Sequence, residues 1–305
     1  MLRFLFRRLV MAAAVAVAVS LITFTLTNFA SDPAIAMAGD TASAAEIQQI
    51  REREGFDRPL VVQYADWLSS AVVGDFGYSY RMRVPVSDLI LSRIPVTMML
   101  GGAALTFAIV LAIPMGVLAA LRPNSWIDRT ALGVAVLGQA MPTFWFALMM
   151  MVVFSVFLGW LPASGARSWQ HFIMPAIALG YYATPAFMRL TRAGMLEVMR
   201  SDYIRTARAK GLRPHVVLFH HGLRNAIIPI VSLAAVQFGF MLGGSVVIET
   251  LFSMPGLGFL AWESISRADL PVIQAIVLVI AVFYVLLNLM ADLANAYLDP
   301  RIRIG

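Results

Sequence analysis

Read from one charge to the next, the chain is a series of long apolar runs separated by polar segments. Leu9–Ser31, Ile94–Leu121, Thr130–Ala166, Ser168–Met188, Asn225–Ile248 and Leu270–Ala291 contain no Asp, Glu, Lys or Arg. Each exceeds the roughly 20 residues that a helix needs to cross about 30 Å of hydrocarbon. Lipid offers the backbone no hydrogen-bond partners, so such runs must be helical. Unbroken runs, rather than alternation, argue against an outer-membrane barrel. Thr130–Ala166 could in principle hold two helices. We read it as one, about Ala131–Leu158, ending in the interfacial Gly159-Trp160-Leu161-Pro162. The pattern predicts an all-α polytopic membrane protein with six transmembrane helices.

The basic residues orient those helices. With the N-terminus inside, fifteen of the 23 Lys and Arg residues fall in cytoplasmic pieces: Arg3, Arg7 and Arg8; Arg122 and Arg129; eight from Arg189 to Arg224; and Arg301 and Arg303. This is the positive-inside pattern, and it places both termini in the cytoplasm. Splitting Thr130–Ala166 into two spans would turn the densest basic loop outward. A cleaved signal peptide is the other reading of the N-terminal run, with Ala34-Ile35-Ala36 as a cleavage-like site. The run is longer than the about 7–15 residues of a signal core, so a retained first helix is expected.

Three regions follow: 1–31 as the first transmembrane helix, 32–93 as an external cap, and 94–305 as a five-helix core. In the cap, Ala44–Gly55 and Leu60–Val73 have helical spacing, and Tyr64, Trp67, Phe76, Tyr78 and Tyr80 argue against disorder. Within the core, the loop 189–224 sets eight bases against Glu197 and Asp202, a net +6 equal to that of the whole chain. Ser201 or Asp202 can cap a short helix Tyr203–Lys210, and Gly211 suits a left-handed stop. Pro214 then suits the first turn of a second short helix reaching about His221. Charge alone would orient the chain; an ordered helix–turn–helix predicts, in addition, a surface that a partner grips.

Composition narrows the chemistry. Hydrophobic residues make up 60% and charged residues 13%, with a mean hydropathy of +0.79, against about 45–50% and about 25% in soluble domains. A water-soluble globular protein is excluded. There is no cysteine, so disulfides, thiolate metal sites and a cysteine nucleophile are excluded too. The single lysine, Lys210, precedes Gly211, so the chain has no G-K-[ST] phosphate loop. The histidines show no metal pattern: His220 and His221 are adjacent and on different helix faces, and His171 belongs to the other side of the membrane. The methionines, with Met149-Met150-Met151 in a row, read as lipid-facing or core filler. No catalytic constellation is visible, and no nucleic-acid partner is expected.

Asp202-Tyr203-Ile204-Arg205-Thr206-Ala207-Arg208-Ala209-Lys210-Gly211, followed by Arg224-Asn225-Ala226-Ile227-Ile228-Pro229, resembles the coupling motif of ABC importer permeases. The version is that of the dipeptide, oligopeptide, nickel and glutathione group, with Arg205-Thr206-Ala207 where many importers carry Glu-Ala-Ala. Asp57-Arg58-Pro59-Leu60, Gly74-Asp75-Phe76-Gly77, Gln237-Phe238-Gly239, Pro255-Gly256-Leu257-Gly258 and the ending Asp299-Pro300-Arg301 extend the resemblance over nearly the whole chain. Ser168-Trp169-Gln170-His171 and Pro271-Val272-Ile273-Gln274 lean toward the glutathione importer's permease. Ser31-Asp32-Pro33 departs from the group's usual Gly-Asp-Pro.

The resemblance implies a type I importer permease fold in a bacterial inner membrane, importing peptides, with nickel as the alternative cargo. It implies a second, paralogous permease, two ABC ATPase subunits that hold the ATP and Mg, a periplasmic substrate-binding protein, and no cofactor in this chain. Asp202, Tyr203, Arg205, Thr206, Ala207, Arg208, Ala209, Lys210, Gly211 and Leu212 would then couple to an ATPase groove, with Ala207 and Ala209 valued for being small. Gln139, Pro142, Gln237, Gly243, Gly244 and Glu249 are the candidates for the translocation pathway, because Pro142 breaks a helix and the glycines allow close approach. Gly239 and Gly243 also fit plain helix packing, and Glu249, like Asp292, sits near a span end where a structural role is reasonable. An ion-coupled transporter would need intramembrane ionisable relays and inverted repeats, and a channel a filter-like segment; neither is evident.

Overall fold

The computed structural model describes residues 2–30, 32–39 and 42–298. Ser31, the closing Asp299-Pro300-Arg301, Arg303 and the side chain of Arg3 lie outside the described residues. Among the described residues helix is the only extended secondary structure, with one isolated bridge, Tyr78–Pro85, and no strand. The α-helices are α1 (Leu2–Ala30), α2 (Pro33–Ala38), α3 (Ala44–Glu54), α4 (Leu60–Val72), α5 (Val86–Leu121), α6 (Trp126–Ala140), α7 (Thr143–Met150), α8 (Ile173–Val198), α9 (Asp202–Ala209), α10 (Arg224–Ala226), α11 (Ile228–Leu251), α12 (Leu257–Ser266) and α13 (Leu270–Leu298). A π-helical segment, Met151–Phe157, continues α7, and another, Val216–Leu223, precedes α10.

Among the described residues four helices are long and apolar enough to cross a membrane: α1 over Phe6–Phe29, α5, α11, and α13 over Leu270–Ala294. The run read as a single helix Ala131–Leu158 is instead a pair, α6 and then α7 with its π-helical extension, bent by 100°. Proline explains the correction. Pro142 has no N–H and its ring would strike the preceding turn; it also drives the residue before it out of the helical region. Met141 accordingly lies at φ −96°, ψ 135°, and α7 starts afresh after Pro142. The fourth run, Ser168–Met188, leads into α8 from Ile173, and α8 does not join the apolar group. Tyr181, Tyr182, Pro175 and Pro185 dilute its hydropathy. Thr184, Phe187, Met188 and Thr191 are fully buried on α8, so this helix faces other helices more than lipid.

The chain divides into two compact units. The first comprises Met1–Thr97 and Pro255–Leu286. Its core joins Val86 and Ile90 of α5 to Leu257 and Leu260 of α12 and to Val272, Ala275 and Ile276 of α13. Thr97 Oγ1 accepts the Leu257 N–H at 2.8 Å, satisfying one of the free donors at the start of α12. The cap helices arise locally. Ser43 and Glu46 form a reciprocal capping box at the start of α3, and Gly55, in the left-handed region, closes it. Phe24 of α1 packs against Tyr64 and Trp67 of α4 with ring centroids 5.5 and 5.9 Å apart. The loop after α4 is pinned by the buried Asp269, which accepts from Ser79 Oγ and, at 3.0 Å, from the Tyr80 N–H.

The second unit comprises Met98–Met254 and Leu287–Gly305. Here α8 is central, with α6, α7 and α11 packed on it. Small residues permit the approach, as expected where packing rather than water exclusion joins helices. A Cβ at Gly180 would lie 2.3 Å from the Ala104 carbonyl oxygen, so only glycine lets α8 meet α5 there.

Candidate functional site

The basic loop folds as α9, a glycine turn and a π-helical segment. Ser201 precedes α9 in extended conformation, though its hydroxyl donates back to the Val198 carbonyl at 2.6 Å instead of capping the helix. Asp202 in the first turn and Arg208 in the last suit the helix dipole. Only two of the eight residues of α9 are buried, Ile204 and Ala207, and they close on Val217, Val198 and Met199. This three-residue spacing puts both on one face, which seats the helix on its own subunit. The opposite faces present Asp202, Tyr203, Arg205, Thr206, Arg208 and Ala209, followed by exposed Lys210, Gly211 and Leu212.

Gly211 ends the helix at φ +73°. Its N–H reaches the Arg208 carbonyl at 2.9 Å, and the Leu212 N–H reaches Ala207 at 3.3 Å. No atom lies within 4 Å of where a Cβ would stand. The glycine is therefore there for its backbone conformation and not for space. On the other side, the Tyr203 hydroxyl accepts from Asn225 Nδ2 at 3.0 Å, and the same amide donates to the His221 carbonyl at 3.0 Å. Arg205 pairs with Asp202 at 3.3 Å, but both are largely exposed, so that pair contributes little.

Two features differ from the sequence reading. The segment expected as a second short helix from Pro214 is π-helical, Val216–Leu223. Ala207 is small for a seat inside the chain, whereas Ala209 is exposed. Ile204, Val217 and Asn225 hold the loop and were not singled out; two apolar residues three apart in an otherwise charged helix were the available signal.

An ion pair that pattern reading missed ties α6 to α8. Arg192 Nε donates to Asp128 Oδ1 at 2.7 Å and Nη2 to Oδ2 at 2.6 Å, while the Asn124 N–H donates to Oδ2 at 2.9 Å. Asp128 is 2% exposed. Arg192 sits on the same helix that runs into α9, so the pair fixes α6 to the element carrying the loop.

The pathway candidates divide by burial. Gln139, Pro142, Gly243 and Gly244 are exposed on the chain, Gln237 is half-buried, and Glu249 is wholly buried within α11. A Cβ at Gly243 would meet nothing within 4 Å, and one at Gly244 only Leu179 at 3.8 Å. With Phe240 and Val247 they form an exposed stripe on α11. Gly239 is buried, so the Gly239–Gly243 pair does not act as one packing face inside this chain.

Comparison with known proteins identifies the family of the chain. Residues 112–304 match the model of the family described as binding-protein-dependent transport system inner membrane component, and residues 1–101 match its N-terminal counterpart. The glutathione transport system permease protein GsiC of Escherichia coli (strain K12) is 41% identical over 304 residues, 99% of each chain. That of Shigella dysenteriae serotype 1 is equally similar, 41% over the same span. Among solved structures, a chain of the MetNI methionine ABC transporter in an inward-facing conformation aligns with a TM-score of 0.57 at 19% identity, covering 69% of this chain and 96% of that one. The last likeness is one of fold.

Proposed function

Because the chain belongs to the family of binding-protein-dependent transport inner-membrane components, we propose that it carries glutathione or similar short peptides across the inner membrane as half of a two-permease pathway. It is a multi-pass permease subunit of an ATP-driven ABC importer and not itself an enzyme. Membership implies ATPase and substrate-binding partners. The observation that carries the peptide assignment is the 41% identity to glutathione permeases along 99% of the chain.

In the proposed assembly a second, paralogous permease completes the pathway, two ATPase subunits hold ATP and Mg, and a binding protein delivers the cargo. The chain has six spans with both ends cytoplasmic: α1, α5, the bent α6–α7 pair, α8, α11 and α13. Burial of α8 supports counting it as a span, since a helix enclosed by others need not be as apolar as one facing lipid. The ATPase grips the exposed face of α9, from Asp202 through Leu212. Ile204 and Ala207, seated on Val217, pass its movement to α8 as a rigid body. Gln139, Pro142, Gln237, Gly243, Gly244 and Glu249 line or shape the pathway.

The test is reconstitution. The permease pair, the ATPases and the binding protein in proteoliposomes should accumulate labelled glutathione only with ATP inside the ATPase compartment. ATP-dependent uptake of another cargo with none of glutathione or short peptides would refute the assignment.

A further inference from the structure

The external part of the first unit carries an open cavity of about 780 Å³ that the transport reading above leaves unused. Small-ligand pockets span about 300–1,000 Å³. The cavity is walled by the outer end of α1, by α4, by the loop over Asp75–Arg83 and by the start of α13. Six aromatic residues are in its lining: Phe24, Phe56, Trp67, Phe76, Tyr78 and Tyr80. The charged members of the wall are of both signs: Glu54, Asp66 and Asp75 with Arg58 and Arg83.

Some of these charges are already engaged. Arg58 Nη1 lies 2.9 Å from Asp66, and Glu54 accepts from Arg53 at 2.8 Å. Asp75 accepts one backbone N–H, that of Gly77, at 2.9 Å. No ion pair forms at Arg83 among the described residues. Arg83 is also held at φ +54°, a region that residues with a side chain seldom adopt. Its N–H bonds to the Ser79 carbonyl, and Ser79 in turn bonds to Asp269, so the loop itself imposes that conformation. Burial, with Asp269 and Glu54 nearby, pushes the Tyr80 phenol above its ordinary value, which leaves it a hydrogen-bond donor at neutral pH. Nε1 of Trp67 is buried and has no partner among the described residues.

A pocket with aromatic walls, an uncommitted guanidinium and a lightly used carboxylate matches a particular chemistry. We propose that this cavity binds a short peptide through its charged ends, Arg83 taking the carboxylate, Asp75 taking the ammonium, and the rings covering the apolar part. A bidentate guanidinium–carboxylate contact supplies direction as well as attraction, and a site of mixed sign rejects simple anions and cations alike. The choice of a peptide over other zwitterions rests on the proposed function; the cavity itself does not. Peptide held here would be bound by the permease without the binding protein.

The experiment is equilibrium binding of radiolabelled glutathione to the full-length chain in lipid nanodiscs, with no binding protein present. The expected result is saturable binding of one equivalent, weakened at least tenfold by Arg83→Gln and by Asp75→Asn, and unchanged by Arg93→Gln, which lies outside the cavity. Arg83→Lys should recover only part of the affinity, since an ammonium cannot form the fork. Unchanged thermal stability of Arg83→Gln separates lost contact from lost fold. Absence of saturable binding, or binding indifferent to both substitutions, overturns the proposal. Glutathione uptake by the complete importer without such binding would remove the cavity site alone. Binding without uptake would remove the transport assignment and leave the site standing.

Discussion

Gly211 separates backbone strain from steric bulk inside the chain, and the asparagine and alanine variants make the same separation at the partner surface. It sits at φ +73° with open space where a Cβ would stand, so within the chain an added Cβ acts through φ and not through a clash. A β-branched residue at positive φ is a genuine outlier, and holding one there costs on the order of 1–3 kcal/mol. At about 1.4 kcal/mol per factor of ten, that is roughly one to two orders of magnitude in any equilibrium that requires this turn. The chain can escape the strain by letting φ turn negative. It then gives up the bonds from Gly211 N–H to Arg208 and from Leu212 N–H to Ala207, and α9 tilts from its seat on Val217. Asparagine tolerates the left-handed region, so the expected order of transport is Asn, then Ala, then Val, with the valine variant about ten- to a hundredfold slower. Membrane abundance should stay level, because no span is touched. The assay pairs uptake with ATPase activity in the reconstituted importer, where Gly211→Val should hydrolyse ATP without responding to the loaded binding protein. Gly74, at φ +86° and equally open, gives a control of matched strain in the external cap, and Gly74→Val should keep that response. Wild-type transport by Gly211→Val, or an asparagine variant as poor as the valine one, would refute the reasoning.

Arg192→Met should strand the buried Asp128 carboxylate and cost about 3–5 kcal/mol, read as lost thermal stability of the purified protein. Adding Asp128→Asn should recover much of it, and a double variant no better than the single one would contradict an ion-pair origin. For topology, the native chain has no cysteine, so Gln49→Cys should react with an impermeant maleimide on intact cells and Thr206→Cys only after lysis. Outside labelling of Thr206→Cys would overturn the six-span arrangement. At the start of α3, the Ser43 N–H and hydroxyl hold the Glu46 carboxyl below its ordinary value of 4.5. A depressed folded pKa stabilises above the unfolded value and loses that effect as pH falls through the folded one. Amide exchange at the first turn of α3, corrected for its intrinsic rate, should therefore accelerate on acidification, and Glu46→Gln should remove that dependence.

Features set by near neighbours were readable in the sequence. The uncharged runs became mostly helical, Thr130–Ala166 as a bent pair, because length and apolarity favour that outcome wherever lipid is the solvent. Gly211 after a short basic helix marked an end because capping is a matter of three or four residues; the Ser43–Glu46 box at the start of α3 is of the same local kind but was not singled out. Pro142 was recognised as a breaker, yet the run around it was drawn straight, since hydropathy counts residues and is blind to direction. The contacts that organise the two units lie far apart in the chain: Asp128 with Arg192, Ser79 with Asp269, and Thr97 with Leu257. Each half of such a pair looks like an ordinary polar residue until folding supplies the other half, and the cap cavity, walled by residues from Phe24 to Gln274, has no local pattern at all.

Glycines show where such reasoning leads next. Gly180 is small because the Ala104 carbonyl would otherwise be struck, and Gly211 is flexible because its turn needs φ +73°. Gly243 meets neither need: its backbone is helical and nothing inside the chain approaches it. A helix interior gains roughly 0.5–1 kcal/mol from alanine in place of glycine, so an interior glycine without an internal contact is a standing cost. In the proposed assembly that cost is offset outside the chain, along the stripe Phe240, Gly243, Gly244 and Val247, where a second permease or the passing peptide can come close to the backbone of α11.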